Sequence, residues 1–550
     1  MAIRWLLAAG LSLTLLSIQG AVNGVARAQE RPIRAVLGFD DATEPRAETP
    51  AASADTSPPQ SVAPDTNATH SGCSPFEGLQ LFDGISPAAG KNAQAAASLF
   101  DGFEFPYDDF RRGAGPSGLD IVGNPAAGDQ SAAGRAGAPS IGTPPLPPFG
   151  GARNSRPKLT GDWCGLRDQL RDDGFTFDIS ATTYYQGVAS GGLEDIFRFG
   201  GRNDYLVNVD GQKAGLWQGF GIYLHGETVY GDSVNLATGA VVPVDIGRAH
   251  PVFFGDETAL TAVKFNQVVS DKLILYAGKI NTIDNVQQPF MPGRGLDAGF
   301  MNAAFVWNPI LGRTMNYATL GAGAAILADG YPLATLTVYD TNNDTTTSGF
   351  NVLFDNGAII YPTVSLPTTF FGMPGHQSVW GAYSSGRYAI VSPESLNLIP
   401  QVLQGQLPPT AVTTLVRGSW WITYLFDQAL WVDPSDKTRS WGVFGNIGIS
   451  DAKPNPIHWS AIVGIGGSSA LPGRKLDTFG IAYYYLGFSD GFKNVARLVT
   501  PVGDERGLEL FYNVGVTPWC HVTADLQVIT PILERVEASL VLGLRAKIDF

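Results

Sequence analysis

Residues near the end of the chain alternate between apolar side chains and polar or small ones. Leu542 and Leu544 fall on one face of the segment 542–550, and Arg545 and Lys547 fall on the other. A period of two is typical of a strand with lipid on one face and water on the other. A half-buried edge strand of a soluble sheet would show the same alternation, so this segment alone leaves both interpretations open.

The same alternation recurs in earlier segments, namely 219–230, 272–281, 441–450 and 507–517. We assign their apolar positions to an outward face and their polar positions to an inward face. In 272–281, this rule places Ile274 and Tyr276 outward and Lys279 inward.

Short turns and long loops separate these strands. The long loops are predicted at 231–257, 283–315 and 340–375, and short turns such as 210–213 lie between other strands. This asymmetry is typical of outer-membrane barrels. Roughly 390 residues, at about 25 residues per strand with its connection, predict about 16 strands around an aqueous lumen. The predicted fold is therefore an all-β, transmembrane antiparallel β-barrel.

Three regions of different character follow one another along the chain. Arg4 precedes an apolar run and a small-x-small site at 26–28, which predicts a signal peptide over 1–28. Residues 29–157 are rich in Pro, Ala and Gly and lack apolar periodicity, so we expect this extension to be mostly disordered. The barrel is predicted over 158–550, and a short helix over about 161–173 precedes its first strand.

A short motif recurs inside the extension. Leu-Phe-Asp-Gly stands at 81–84 and again at 99–102. The pair could serve as docking motifs for an envelope partner, or it could be a chance repeat in a biased composition. The sequence leaves both alternatives open.

The net charge of −14 limits the partners of the chain. It argues against nucleic acid, and it favours cations or neutral solutes over anions if the excess charge lines a pore. We find no serine-hydrolase elbow and no zinc-protease motif, so we expect no enzyme, no cofactor and no metal.

The three cysteines show no metal-ligand spacing. The helix over 161–173 and the turn around 517–520 are predicted on the same periplasmic rim, and the first and last strands of a closed barrel are neighbours. We therefore predict a disulfide between Cys164 and Cys520, with free thiols as the alternative.

Several segments together resemble the carbohydrate-selective porins of the OprB family. They are 159–170 (LTGDWCGLRDQL), 174–178 (GFTFD), 278–282 (GKINT), 300–302 (FMN), 427–428 (DQ), 509–512 (ELFY), 517–519 (TPW), 525–527 (DLQ) and Pro531. Cys164 stands where the family pattern has Gly, and Ala524 where it has Pro. The extension 29–157 has no counterpart in the shorter members.

The resemblance implies passive, partly selective diffusion of carbohydrates, monosaccharides included, through a water-filled barrel. Side chains on the inward faces, together with the loop 283–315, supply candidates for contact with solute. These candidates are Asn208, Asp210, Tyr223, His225, Glu227, Lys279, Arg294, Asp297, Trp307, Glu509, Asp525, Gln527, Arg545 and Lys547. The loop 283–315 could fold inward as a constriction or face outward as a lid.

Other roles stay open at this point. The barrel could pass other small solutes or ions, or it could tether the envelope through 29–157, because a fold does not determine its solute. We expect outer-membrane lipid and the barrel assembly machinery as partners. The sequence does not decide whether the protein forms a homo-oligomer.

The aromatic residue at the end of the last predicted strand makes a first testable prediction. A terminal Phe resembles the signal that outer-membrane barrels present to the assembly machinery, so Phe550 is our candidate assembly signal. Deleting Phe550, or making Phe550→Asp, should lower the amount of folded barrel in the outer membrane while export across the inner membrane continues. Fractionation with a heat-modifiability gel measures both, and wild-type outer-membrane levels would contradict the prediction.

Overall fold

The computed structural model describes residues 156–253, 255–284, 286–294, 296, 299–328, 331–391, 397–398, 401–402, 406–407, 409–498 and 500–550. The signal peptide predicted over 1–28 and nearly all of the extension predicted over 29–157 lie outside these residues, so both stay predictions. Within the described ranges, no helix has both the length and the apolar character that crossing a membrane requires.

Strands make up most of the described chain. They are β1 (Phe175–Ser190), β2 (Phe197–Asp210), β3 (Phe220–Gly231), β4 (Glu257–Ser270), β5 (Leu273–Asn281), β6 (Ala318–Ala328), β7 (Tyr331–Asp340), β8 (Ala358–Phe370), β9 (Met373–Val391), β10 (Thr413–Val432), β11 (Ser440–Ser450), β12 (Ile457–Ser468), β13 (Thr478–Phe488), β14 (Glu505–Thr517), β15 (Cys520–Thr530) and β16 (Ser539–Asp549). The α-helices of the described residues are α1 (Leu166–Asp172), α2 (Ala303–Val306) and α3 (Asp490–Ala496). Short 3₁₀ turns lie at Trp163–Gly165, Ile246–Arg248, Pro309–Arg313, Phe350–Val352 and Pro409–Val412.

These sixteen strands of the described chain close into one antiparallel barrel. Each strand pairs with its neighbours in sequence, and β1 also pairs with β16, so that Ser180 lies opposite Asp549. The backbone N–H of Phe550 extends this pairing by donating to the carbonyl of Ile179 at 2.9 Å. The predicted antiparallel barrel and its strand count are confirmed.

The two rims of the barrel differ in the length of their connections. The loops 232–256, 282–317 and 341–357 share one rim, which we call the long-loop rim. On the opposite, short-turn rim, β14 ends at Thr517 and β15 already begins at Cys520. The predicted asymmetry of connections is therefore present.

One predicted loop is wrong in its second half. The sequence predicts a loop over 340–375, but β8 occupies 358–370 and β9 begins at Met373. Proline lacks a backbone N–H and is therefore uncommon in the interior of a strand. Pro362 and Pro367 nevertheless both lie inside β8. Both prolines are exposed, and the barrel accommodates them within β8. Their presence is the reason why the sequence predicted a loop here.

The inward and outward faces follow the predicted alternation in β14. Leu510 is 48% exposed on the outer surface, whereas its neighbours Glu509 and Phe511 are buried inside. In β16, Leu544 is exposed and Arg545 is buried in the same way. The predicted faces of these strands are confirmed.

The predicted faces of β5 are wrong for its apolar residues. Ile274, Tyr276 and Ile280 are buried, whereas Leu275 is exposed. The buried residues belong to the same apolar cluster as residues of the loop 282–317, such as Phe305. An apolar side chain can thus face a loop inside the barrel as well as lipid outside it, and the alternation alone does not distinguish these two environments.

The segment before β1 lies against the end of the last strand. The N–H of Leu159 donates to the carbonyl of Asp549 at 2.8 Å, and Lys158 forms an ion pair with Asp178 at 3.0 Å. The 3₁₀ turn at Trp163–Gly165 and helix α1 follow. The short helix predicted over about 161–173 is confirmed, and it lies on the short-turn rim.

The predicted disulfide between Cys164 and Cys520 is wrong. Cys520 is a free, half-buried thiol at the start of β15. Cys164 already takes part in a disulfide, and one sulfur atom forms only one such bond. A shared rim does not bring two sulfur atoms into bonding geometry, which needs closely spaced and correctly directed side chains.

The outward face of β14 makes a second testable prediction. Leu510→Arg places a charge on the outer surface and should destabilise the barrel by about 2–4 kcal/mol if the position lies near the bilayer midplane. Urea unfolding in lipid vesicles measures this loss.

Leu498 provides a matched control, because it is 57% exposed in the connection between β13 and β14, outside the strands. Leu498→Arg should leave the free energy of unfolding unchanged within about 0.5 kcal/mol. Equal losses from the two variants would show that Leu510 does not face lipid.

Candidate constriction inside the barrel

The loop 282–317 enters the barrel and is held by its wall. The two carboxyl oxygens of Glu509 in β14 accept hydrogen bonds from the backbone N–H groups of Met301 and Asn302, at 2.6 and 2.9 Å. Glu509 is fully buried. Because the loop has left bulk water at this point, these backbone donors need partners from the protein itself.

A second contact shows how deep the loop goes. Arg545 in β16 donates to the carbonyl of Gly299 at 2.8 Å. Arg545 lies six residues along the strand from Ser539, where β16 leaves the long-loop rim, which is about 20 Å at roughly 3.3 Å per residue. The loop therefore reaches the middle of the barrel and is not a lid over its mouth.

The loop 232–256 joins it from the same rim. The N–H of Ile246 donates to the carbonyl of Met301 at 3.0 Å, and the N–H of Ala303 donates to the carbonyl of Pro243 at 2.9 Å. Glu505 in β14 accepts from two further N–H groups of this loop, those of residues 241 and 242. The two loops thus form one body inside the lumen.

Aromatic side chains fill the space between this body and the wall formed by β11–β16. Phe300 meets Phe511 edge to face, with ring centroids 4.8 Å apart, and Phe305 meets Tyr484 at 5.7 Å. All four residues are buried. This side of the lumen is therefore a packed apolar core.

Charged side chains gather inside the barrel where β2, β3 and the loop 282–317 meet. Three basic and three acidic residues of the described chain contact one another there, and we call them the charge cluster. Its members are Arg202, Asp204, His225, Glu227, Asp284 and Arg294.

The wall half of the charge cluster is built by β2 and β3. The guanidinium of Arg202 lies 2.6 Å from Asp204 and 3.2 Å from Glu227. Asp204 and Glu227 are direct cross-strand partners in the ladder between β2 and β3, which places both carboxylates beside the same cation. The phenol of Tyr317 donates to both oxygens of Glu227 and completes its hydrogen bonding.

The loop half is formed by Asp284 and Arg294, whose side chains lie 3.4 Å apart. Although burial alone would raise the pKa of Asp284, the charges of His225 and Arg294 hold this pKa below its usual value. Asp284 therefore stays ionised in neutral solution. Arg294 keeps 19% of its side-chain surface exposed, more than any other member of the cluster.

A metal ion does not suit this site. Ligand atoms of Asp204, His225 and Glu227 lie within 4.8 Å of one another, which is close enough to surround an ion. The guanidinium of Arg202 already stands between the two carboxylates, however, and a second cation would meet its positive charge. The arrangement is an ion-pair network.

The structure brings some predicted pore residues together here. Tyr223, His225, Glu227 and Arg294 all belong to the charge cluster or contact it, since Tyr223 donates to Asp284 at 2.9 Å. Asn208 is half-buried on the inward face of β2.

Other predicted residues have different roles. Several were expected to contact channel water, but they are buried and bind a loop or a wall neighbour, namely Lys279, Glu509, Asp525, Gln527 and Arg545. For the residues of β14, β15 and β16 the inward face was predicted correctly, and the error arose because loops and wall neighbours, not water, surround their side chains.

The remaining predicted residues lie apart from the cluster. Asp210 caps a short turn by accepting from the N–H groups of residues 212 and 213. Lys547 pairs with Asp549 at the short-turn rim. Trp307 is half-buried, with its ring edge against His250. Asp297 lies outside the described residues.

Sequence reasoning missed half of the charge cluster. Arg202 and Asp204 alternate with outward residues along β2, and this spacing could have placed both on the inward face. Asp284 carried no such signal, because it lies in the loop, three residues beyond the end of β5, and its position depends on the path of the loop.

A closed sixteen-stranded barrel with an apolar outer face and a loop folded to its middle defines a porin. The family model described as carbohydrate-selective porin, OprB family, matches residues 196–550, which is more than half of the chain, and the chain belongs to this family. It is a porin of the bacterial outer membrane through which carbohydrates diffuse passively. The predicted family, function and location are confirmed.

A solved structure with a TM-score above 0.5 agrees on the fold. The match to the high-pH structure of Pseudomonas putida OprB covers 73% of this chain and 100% of that chain, with 21% sequence identity and a TM-score of 0.62. The match to the low-pH structure of the same protein covers 72% of this chain and 99% of that chain, with 17% sequence identity and a TM-score of 0.44. The match to OmpT of Vibrio cholerae covers 68% of this chain and 98% of that chain, with 11% sequence identity and a TM-score of 0.39. No curated protein sequence matches this chain.

The two hydrogen bonds that Glu509 accepts from the loop lead to a third testable prediction. Glu509→Gln replaces one of two accepting oxygens by an NH₂ group, so one buried N–H of the loop loses its acceptor at a cost of about 1–3 kcal/mol. The loop should loosen, and single-channel recordings should show added current noise and a larger mean conductance.

Glu537→Gln is the matched control, because Glu537 is exposed in the connection between β15 and β16. This control should conduct like the wild type. Quiet, wild-type currents from Glu509→Gln would show that Glu509 does not restrain the constriction.

Proposed function

We propose that the constriction admits small neutral sugars and contacts them through Asp284 and Arg294. The observation that carries this proposal is the exposed edge of the charge cluster. Arg294 is its most exposed member, and it comes from the loop 282–317 that narrows the barrel. A solute that passes the packed aromatic side of the lumen would meet this edge.

The chemistry of these two groups suits a sugar. A carboxylate accepts hydrogen bonds from sugar hydroxyls, and a guanidinium donates to them through a planar fork of N–H groups. Each such bond replaces one that the sugar made with water, so binding is weak. Weak binding suits a channel, because the solute must leave as readily as it enters.

Charge balance in the charge cluster supports a neutral solute over an ion. With both basic and acidic members ionised, its three positive and three negative groups cancel. A balanced constriction presents hydrogen-bonding groups without a net field that would favour cations or anions. This differs from the cation preference that the overall charge of −14 suggested, because that charge is summed over the whole chain.

Planar-bilayer conductance tests this function and makes a fourth prediction. Added mono- and disaccharides should block the salt current of the wild type in a concentration-dependent way. Arg294→Gln should weaken the block about tenfold, which corresponds to about 1.4 kcal/mol.

Lys437→Gln is the matched control, because it removes one positive charge from an exposed turn between β10 and β11. It should leave the sugar block unchanged. A wild-type channel that passes salt without any sugar block would favour the alternatives, a porin for other small solutes or ions, or a tethering role of 29–157.

A further inference from the structure

His225 occupies the centre of the charge cluster. It lies on the inward face of β3, and only 1% of its side chain is exposed. Its Nε2 lies 3.0 Å from a carboxylate oxygen of Asp204 on the wall, and its Nδ1 lies 2.8 Å from a carboxylate oxygen of Asp284 on the loop. The imidazole therefore bridges the barrel wall and the constriction loop.

We propose that His225 is a positioning residue whose proton holds Asp284, and through it Arg294, in place, so that the ion selectivity of the constriction depends on pH. This inference rests on the proposed role of Asp284 and Arg294 in the constriction.

The geometry assigns a proton to each ring nitrogen. A neutral imidazole has one N–H donor, and its other nitrogen is an acceptor. An acceptor nitrogen that faced an ionised carboxylate oxygen at either 2.8 or 3.0 Å would be repelled. Because both nitrogens face carboxylates, the ring satisfies them only as an imidazolium with two donors.

The surroundings of His225 contain several other charged or titratable groups. They are Arg202 and Asp204 on β2, Tyr223 and Glu227 on β3, Lys264 on β4 beside the Tyr223 ring, and His250, Asp284, Arg294 and Tyr317 on the loops. Burial and the nearby Arg202 lower the pKa of His250 to about 3, so that histidine stays neutral and does not contribute to a change in alkaline solution.

Loss of the His225 proton has two consequences. The ring can then donate to only one carboxylate, so either Asp204 or Asp284 loses its partner. The charge cluster also passes from balanced to a net charge of −1. Asp284 contacts Arg294 directly, so a shift of this carboxylate moves the most exposed cation of the constriction. Rising pH should therefore increase the preference for cations.

Reversal potentials across a KCl gradient, recorded from mildly acidic to alkaline solution, test this inference. In the wild type, the ratio of cation to anion permeability should rise at least about twofold as the pH rises. His225→Gln fixes the cluster at −1, so it should show the cation preference at every pH and a flat profile.

Asp284→Asn provides the opposite change. It leaves the cluster at +1 when His225 is protonated, so it should favour anions, and its profile should retain a dependence on pH. The double variant His225→Gln with Asp284→Asn restores the balance, and its selectivity should return toward that of the wild type at neutral pH. A heat-modifiability gel identifies the variants that form folded barrels.

Two results would overturn the inference. One is a wild-type pH profile that His225→Gln does not flatten, and the other is a shift of Asp284→Asn in the cation direction. If His225→Gln fails to fold, Asp284→Asn and the wild-type profile still decide between the outcomes. A channel with the expected selectivity profile but without sugar block would refute the proposed function and leave the role of His225 intact.

Discussion

Closure of the sheet between β1 and β16 is the constraint on which the rest of the structure depends. An unpaired backbone group in the bilayer core costs several kcal/mol, and an open sheet would present a whole row of them. Pairing of Ser180 with Asp549, continued along both strands, removes that edge. Sixteen closed strands then enclose a space that side chains of the wall alone cannot fill, so water or loops must occupy it.

The loops that fill this space explain the buried polar residues of the wall. Glu505 and Glu509 each direct both carboxyl oxygens at pairs of backbone N–H groups from the loops. Backbone inside the barrel has lost its water, and these carboxyl groups supply the missing acceptors. The aromatic contacts of Phe300 and Phe305 then pack the loop against the wall of the barrel.

The alternation of side chains predicted the barrel because it reports a local property, namely which face of a strand meets lipid. Leu510 and Glu509 show this directly. It could not predict what Glu509 contacts, since its partners lie more than 200 residues away in the chain. The same limit explains the error at Cys520, where adjacency on a rim did not imply a bond. The error at Asp210 has a local cause, because its carboxylate accepts from N–H groups two and three residues further on, in a turn that a period of two does not describe.

In the function that we propose, the selectivity of this porin depends on a local balance of charge rather than on the composition of the chain. The total of −14 includes exposed groups that salt screens over roughly 10 Å and residues far from the passage. Inside the barrel, burial weakens that screening, and ionised groups are stable only beside opposite charges. The network of Arg202, Asp204 and His225 follows from this requirement. A constriction built from mutually paired ions can be rich in hydrogen-bonding groups and still carry no net charge, which suits a channel for uncharged polar solutes.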